Sequence, residues 1–147
     1  MTGRGSTIPG IVEKLCPVVV RPGAERVELL VLRHPLAGLQ LVKGTRESGE
    51  AIVSGVLREL AEESGITQAR VVADLGNSTD IASGQLWHFL RVETGTLASH
   101  WSFKTADDGG HLFAFFWWPL AAMPGEDWHP IFVRALEHIR EALAQEK

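Results

Sequence analysis

Residues 44–66 read GTRESGEAIVSGVLRELAEESGI, and the fold is decided by how that stretch has to be built. Glu59, Glu62 and Glu63 stand at i, i+3 and i+4, so a helix through them gathers three carboxylates on one face. Like charges at that spacing repel, by roughly a few tenths of a kcal/mol per exposed pair. The helix offers no lysine to relieve them, and a divalent cation is the natural compensation. Donors that are all oxygen favour Mg²⁺ and admit Mn²⁺. Val53, Val56, Leu57 and Leu60 recur at helical spacing to one side of the carboxylates, so one face is expected in the core and the other in a site. Ahead of the helix, the glycines of loop 44–49 can take φ > 0 and bring backbone close to a ligand. Gly65 is expected to end the helix in the left-handed conformation. Ala51 brings no capping side chain, so the cap must come from elsewhere. Gly55 costs about 1 kcal/mol relative to alanine, which points to a close-packed strand beside it.

Gly44, five residues, Glu50, seven residues and then Arg58, Glu59, Leu60, Ala61, Glu62, Glu63, Ser64, Gly65 and Ile66 together resemble a complete Nudix box. Every fixed position of that signature is met, and so many specified residues in a loop-then-helix context carry far more weight than a lone glycine motif. The resemblance implies an α/β fold, an α/β/α sandwich with a mixed β-sheet between helices. It also implies a pyrophosphohydrolase. Mg²⁺, with Mn²⁺ as the substitute, would be held by Glu59, Glu62, Glu63 and the backbone carbonyl of Lys43, with Glu50 bracing the loop or joining the metal shell. Arg58 would orient a neighbouring carboxylate through a forked hydrogen-bond pair. Metal-activated water would then cleave the diphosphate bond of a nucleoside diphosphate linked to another group. The catalytic set on this reading is Glu62, Glu59 and Arg58. The general base is either Glu62 or a carboxylate outside the box, for which Asp107, Asp108 and Glu93 are the candidates. One departure from the family pattern is Val42, where a proline often stands two residues before the first glycine.

Length and composition agree with one globular unit: 147 residues, 45% hydrophobic and 22% charged, with a loose end over residues 1–9 and a single domain over 10–147. A formal net charge of −4 argues against a general nucleic-acid-binding surface, which needs a positive field. The expected partner is a small nucleotide or other diphosphate, and homodimer formation stays open. The one cysteine, Cys16, has no internal disulfide partner and sits in an apolar stretch, as a small buried hydrophobe would. No apolar run approaches the ~20 residues of a membrane span and no signal-peptide pattern opens the chain, so no membrane association and a cytoplasmic location are expected.

Along the chain, strands are expected at residues 11–20, 27–33, 39–42, 69–75, 85–92 and 111–119, with a closing helix from 131 to about 145. Pro17 favours an edge position or a bulge for the first strand. The apolar run 29–32 reads as buried on both faces. Residues 93–110 form a connection long enough to wall a substrate site. Lys43, Arg46 and Lys104 are placed to meet phosphates, and Trp101 in the long connection to stack on a base. The six histidines show no close pairing that would hold zinc. Absence of tyrosine and an alanine at position 82 disfavour the dinucleoside polyphosphate and ADP-ribose subfamilies. Two rivals stand beside the hydrolase. One is a nucleotide-binding sensor domain without turnover, against which the intact Glu59, Glu62 and Glu63 argue. The other is an isomerase of isopentenyl diphosphate type, which would need a catalytic cysteine that Cys16 does not supply.

Overall fold

The computed structural model describes residues 10–24, 26–106 and 110–146. In chain order these form β1 (Val12–Pro22), β2 (Val27–His34), β3 (Gly38–Gln40), β4 (Gly44–Thr45), α1 (Ile52–Ser64), β5 (Ala69–Ser78), β6 (Gln85–Thr94), β7 (Trp101–Lys104), β8 (Leu112–Pro119) and α2 (Pro130–Gln145). The strands make one sheet in the order β5-β6-β1-β2-β8-β7, with β3 added on β2 and β4 on β1. β1 and β6 run parallel while the neighbouring pairs are antiparallel, so the sheet is mixed.

Strand periodicity explains the layers. Side chains alternate between the two faces of a strand, so an apolar run without polar interruption must meet hydrophobic cover on both sides. Leu29 and Val31 of β2 join Cys16, Val18, Trp87 and Phe89 in the core beneath Phe132, Leu136 and Ile139 of α2. Leu30 and Leu32 join Leu15, Val19, Leu90 and Phe115 in the core beneath Val56 and Leu60 of α1. The sheet is thus covered by one helix on each face, which is the expected α/β/α sandwich. Pro130 opens α2, and the His129 ring at the N-cap accepts the Ile131 N–H. Among the described residues no helix is long and apolar enough to cross a membrane.

Several expectations need correction. β1 is a central strand, not an edge: it lies against β6 on one side, while on the other β4 pairs at Lys14 and Leu15 and β2 pairs from Val20 to Pro22. Pro17 falls in the interval between those two partners, where a missing donor on that side breaks no ladder bond. The apolar stripe of α1 omits Val53, which is 48% exposed, and takes in the partly buried Ile52. β4 is an additional short strand, and the long connection after β6 contains β7, paired with β8 from Trp101 to Lys104.

Gly55 is explained by the close approach of β1. A Cβ at this position would lie 2.4 Å from Leu15 Cδ1 and 2.8 Å from Glu50 Oε1, and Leu15 is wholly buried. Alanine would add about 1 kcal/mol of helix propensity but would overpack the site by about 1–3 kcal/mol. Gly55→Ala should therefore lower stability in denaturant unfolding, by about 1 kcal/mol net. A gain in stability would show that Leu15 and Glu50 yield freely.

Candidate metal and phosphate site

Local pairing sets the site. β4 lies antiparallel to β1 with Gly44 opposite Leu15 and Thr45 opposite Lys14, which holds the start of the box loop against the sheet next to α1. The helix then brings Glu59 over Gly44 so closely that a Cβ there would lie 1.8 Å from Glu59 Cδ. Gly44 is not among the positive-φ glycines, whereas Gly49 (φ 74°) and the helix-ending Gly65 (φ 83°) are. Gly44 is thus required by space, and what approaches its backbone is the protein's own carboxylate. Glu59 is 7% exposed in this cradle. Gly65 behaves as expected, its N–H bonding to the Ala61 carbonyl. Ala51 is the N-cap and offers no side-chain cap.

Arg58 ties the carboxylates together. Its Nε and Nη2 fork onto Glu50 Oε2 and Oε1 at 2.6 and 2.9 Å, the bidentate geometry a guanidinium is shaped for. Nη1 donates to Glu59 Oε2 at 2.8 Å and Glu62 Oε1 at 3.1 Å, and Nη2 reaches the Thr45 carbonyl at 3.2 Å. Glu50 Oε1 also accepts the Glu47 N–H at 2.9 Å, so both oxygens of Glu50 are engaged and the residue braces the loop. The Arg58 hydrogen bonds, working against burial, hold the Glu50 carboxyl down at about 2. The same partners push Arg58 above its ordinary value. Glu63 Oε1 accepts the Lys43 N–H at 3.3 Å, which sets Lys43 beside the carboxylate face. Glu62 is the most open of the three box carboxylates that share this face, its side chain 44% exposed.

These groups open onto a cavity of ≈ 700 Å³. Glu59, Glu62, Glu63, Arg58, Lys43 and Arg46 all line it, and so do residues with no local sequence signal: Lys14, His34, Gln40, Thr105, His111 and Phe113. Strand register assembles these. Thr45 lies opposite Lys14, whose Nζ donates to the Thr45 hydroxyl at 2.8 Å. Arg33 lies opposite Ala114, which sets the next residue of β2, His34, against Phe113 with ring centroids 5.3 Å apart. Burial, and then the charge of Lys43, lower the Lys14 ammonium from its ordinary value.

The other expected site residues are placed differently. Arg46 lines the cavity, but its side chain is only 6% exposed, its guanidinium pairing with Glu13 Oε2 at 3.0 Å and donating to the Glu50 carbonyl at 2.8 Å. Glu13 in turn meets His88 Nε2 at 2.8 Å. Arg46 therefore holds the loop to β1. Trp101 lies outside the cavity: its indole N–H donates to the Ser64 carbonyl at 3.0 Å and its ring stacks on Phe115 at 5.0 Å. Glu93, at the far end of β6, pairs with Arg70 at 2.6 Å and is likewise not brought to the carboxylates. Asp107 and Asp108 lie outside the described residues. Lys104 does not line the cavity, whereas Thr105 from the same connection does.

Whether the donor set suits a metal can be judged from its chemistry. Among the described residues, no three His, Cys, Asp or Glu side chains converge on a ready-made cation cage. Mg²⁺ does not require one, because it is commonly held by one or two carboxylates with waters and substrate phosphates completing its octahedron. Glu59, Glu62 and Glu63 present hard oxygen donors to an open, water-accessible cavity, so the residues fit such an ion.

A mixed sheet between two helices, with a loop-helix box presenting its glutamates to a cavity, makes up this α/β domain. The chain matches the family described as NUDIX domain over residues 16–136, and it belongs to the Nudix family. No curated protein matches it. Among solved structures it resembles an ADP-ribose pyrophosphatase from Streptococcus suis 89-1591, at 11% identity over 92% of this chain and 94% of that one, TM-score 0.68. It also resembles the E. coli ORF135 protein, at 18% identity over 96% and 98%, TM-score 0.63. A third likeness is the NUDIX domain of Shewanella oneidensis NrtR complexed with ADP ribose, at 17% identity over 90% and 88%, TM-score 0.61. At such identities the likeness is one of fold.

Proposed function

We propose that this chain is a Mg²⁺-dependent pyrophosphohydrolase that cleaves the diphosphate bond of a nucleoside diphosphate linked to another group. The observation that carries the reading is a single cavity in which Arg58 arrays Glu59 and Glu62 beside Glu63, with Lys14 and Lys43 on the same lining. Carboxylates to hold a cation beside ammonium groups to meet phosphoryl oxygens form a charge pattern suited to a diphosphate. Glu59, Glu62, Glu63 and the Lys43 carbonyl are the ligands on this reading. The ion, when bound, neutralises phosphoryl charge and makes a bound water nucleophilic. Glu62, the most open of these carboxylates, would serve as general base toward the attacking water on this reading. Arg58 and Glu50 are positioning residues. The ADP-ribose pyrophosphatase and the ADP-ribose complex among the structural likenesses support a nucleoside diphosphate as the substrate class.

The test is turnover of nucleoside triphosphates, nucleotide sugars, ADP-ribose and dinucleoside polyphosphates by the purified protein with Mg²⁺, followed by coupled phosphate or pyrophosphate release. Wild type should turn over one class efficiently. Glu63→Gln keeps an acceptor for the Lys43 N–H but loses the charge, so it should fold normally and lose roughly 10²-fold or more in kcat/KM. Near-normal activity of Glu63→Gln would remove the assigned metal role. Tight binding of one of these ligands without turnover would favour a sensor domain over a hydrolase.

A further inference from the structure

Besides its acidic chemistry, the cavity lining holds a group of rings that the proposed hydrolysis does not use. His34, from the end of β2, packs against His111 with ring centroids 4.8 Å apart and against Phe113 at 5.3 Å. His111 and Phe113 lie nearly parallel, at 5°. Phe113 is 7% exposed and backs the group, while His34 and His111 are half-buried and line the cavity. The His34 tautomer is set by its neighbour: Nδ1 accepts the Leu36 N–H at 3.0 Å, which leaves Nε2 to carry the proton of the neutral ring. Burial first, and then the charges of His111 and Lys43, lower the His34 imidazole from its ordinary value.

Lys43 lines the same cavity, and its backbone N–H bonds to Glu63. One cavity thus carries carboxylates, ammonium groups and rings. A nucleotide carries the matching groups: phosphates that seek cations, and a flat heteroaromatic base that carries hydrogen-bond acceptors.

We propose that the corner formed by His34, His111 and Phe113 is the specificity site for the nucleobase, which stacks on the His111 imidazole and accepts a hydrogen bond from His34 Nε2, the two rings being inclined at 47°. The proposal rests on the hydrolase reading for the substrate class but concerns binding, so it is tested without turnover. It gives His34 and His111 a role in recognition and directs the substrate's phosphates toward α1.

The experiment is calorimetric titration with Mg²⁺ of two probes, a nucleoside monophosphate and ribose 5-phosphate, which differ by the base. Wild type should bind the nucleoside monophosphate about tenfold or more tightly than ribose 5-phosphate, the range expected for stacking of one base. His34→Ala and His111→Ala, the latter just before β8, should each reduce that preference. His34→Gln, which keeps a donor, should retain part of it. A preference unchanged in both alanine variants, with melting temperatures like wild type, would overturn the assignment, as would no preference in wild type. Loss of the preference in an enzyme that still hydrolyses its substrate would separate this inference from the hydrolase reading, and an inactive wild type that keeps the preference would sink only the latter.

Discussion

Arg58→Ala should lower the melting temperature by roughly 5–10 °C and leave little hydrolytic activity, because one guanidinium holds most of the box together. Removing it leaves Glu50, Glu59 and Glu62 without their shared cation, and the Glu50 and Glu59 side chains are only 12% and 9% exposed. Removing one partner of a buried ion pair costs about 3–5 kcal/mol when the pair is fully buried. Arg58 is 22% exposed, and a discount for solvent screening brings the expectation to about 2–3 kcal/mol. At this chain length each kcal/mol moves the midpoint by about 2–4 °C, which sets the range expected in a thermal melt. Arg58→Lys is the discriminating variant. Lysine restores a charge but not the fork onto both Glu50 oxygens, so it should recover part of the stability and little of the turnover. Full recovery of both by lysine would show that charge alone, without the bidentate geometry, accounts for the role of Arg58. Mg²⁺ should raise the melting temperature of Arg58→Ala more than that of wild type, since the cation can then replace the missing guanidinium among the carboxylates.

How much of this was legible in the chain divides along a physical line. The helix, its glutamates and the Gly65 stop all lie within one local element, where spacing of three and four residues dictates what meets what. The run 29–32 likewise declares its two-sided burial, since no polar residue offers a solvent face. Everything set by strand register stayed hidden. No local pattern tells that Lys14 will face Thr45 or that His34 will lie against His111, which is 77 positions away in sequence. Arg46 reads as a free cation in a loop because its partner, Glu13, is contributed by a strand 33 residues earlier. Trp101 reads as an exposed loop aromatic because the four-residue strand that buries one side of it is too short for a periodic signal. Pro17 misleads for a related reason: a proline rule built on ladders with two full neighbours fails where a strand exchanges one neighbour for another. In each case the local preference was read correctly and the tertiary partner decided its consequence.

Gly44→Ala should reduce hydrolysis by roughly 10²-fold if Glu59 holds the cation as proposed, the order expected when a group at the reacting centre is displaced by about 1 Å. The residue is not in a left-handed conformation, so alanine meets no backbone penalty there and the whole effect must come from the Glu59 carboxylate. The new methyl would coincide with Cδ and both oxygens of Glu59, at 1.8, 1.9 and 2.2 Å. Gly44 cannot withdraw, since it is paired with Leu15 of the central strand β1. The carboxylate must therefore leave its cradle and its 2.8 Å bond to Arg58. This makes the prediction separable from a general loss of packing. In a Glu59→Ala background the obstructed carboxylate is gone, so adding Gly44→Ala should cost almost nothing further in either stability or residual turnover. The double-mutant cycle is then strongly non-additive, as expected of two groups in contact. Additive losses would mean that Gly44 serves the loop and not Glu59, and the account of why a glycine opens this box would have to be abandoned.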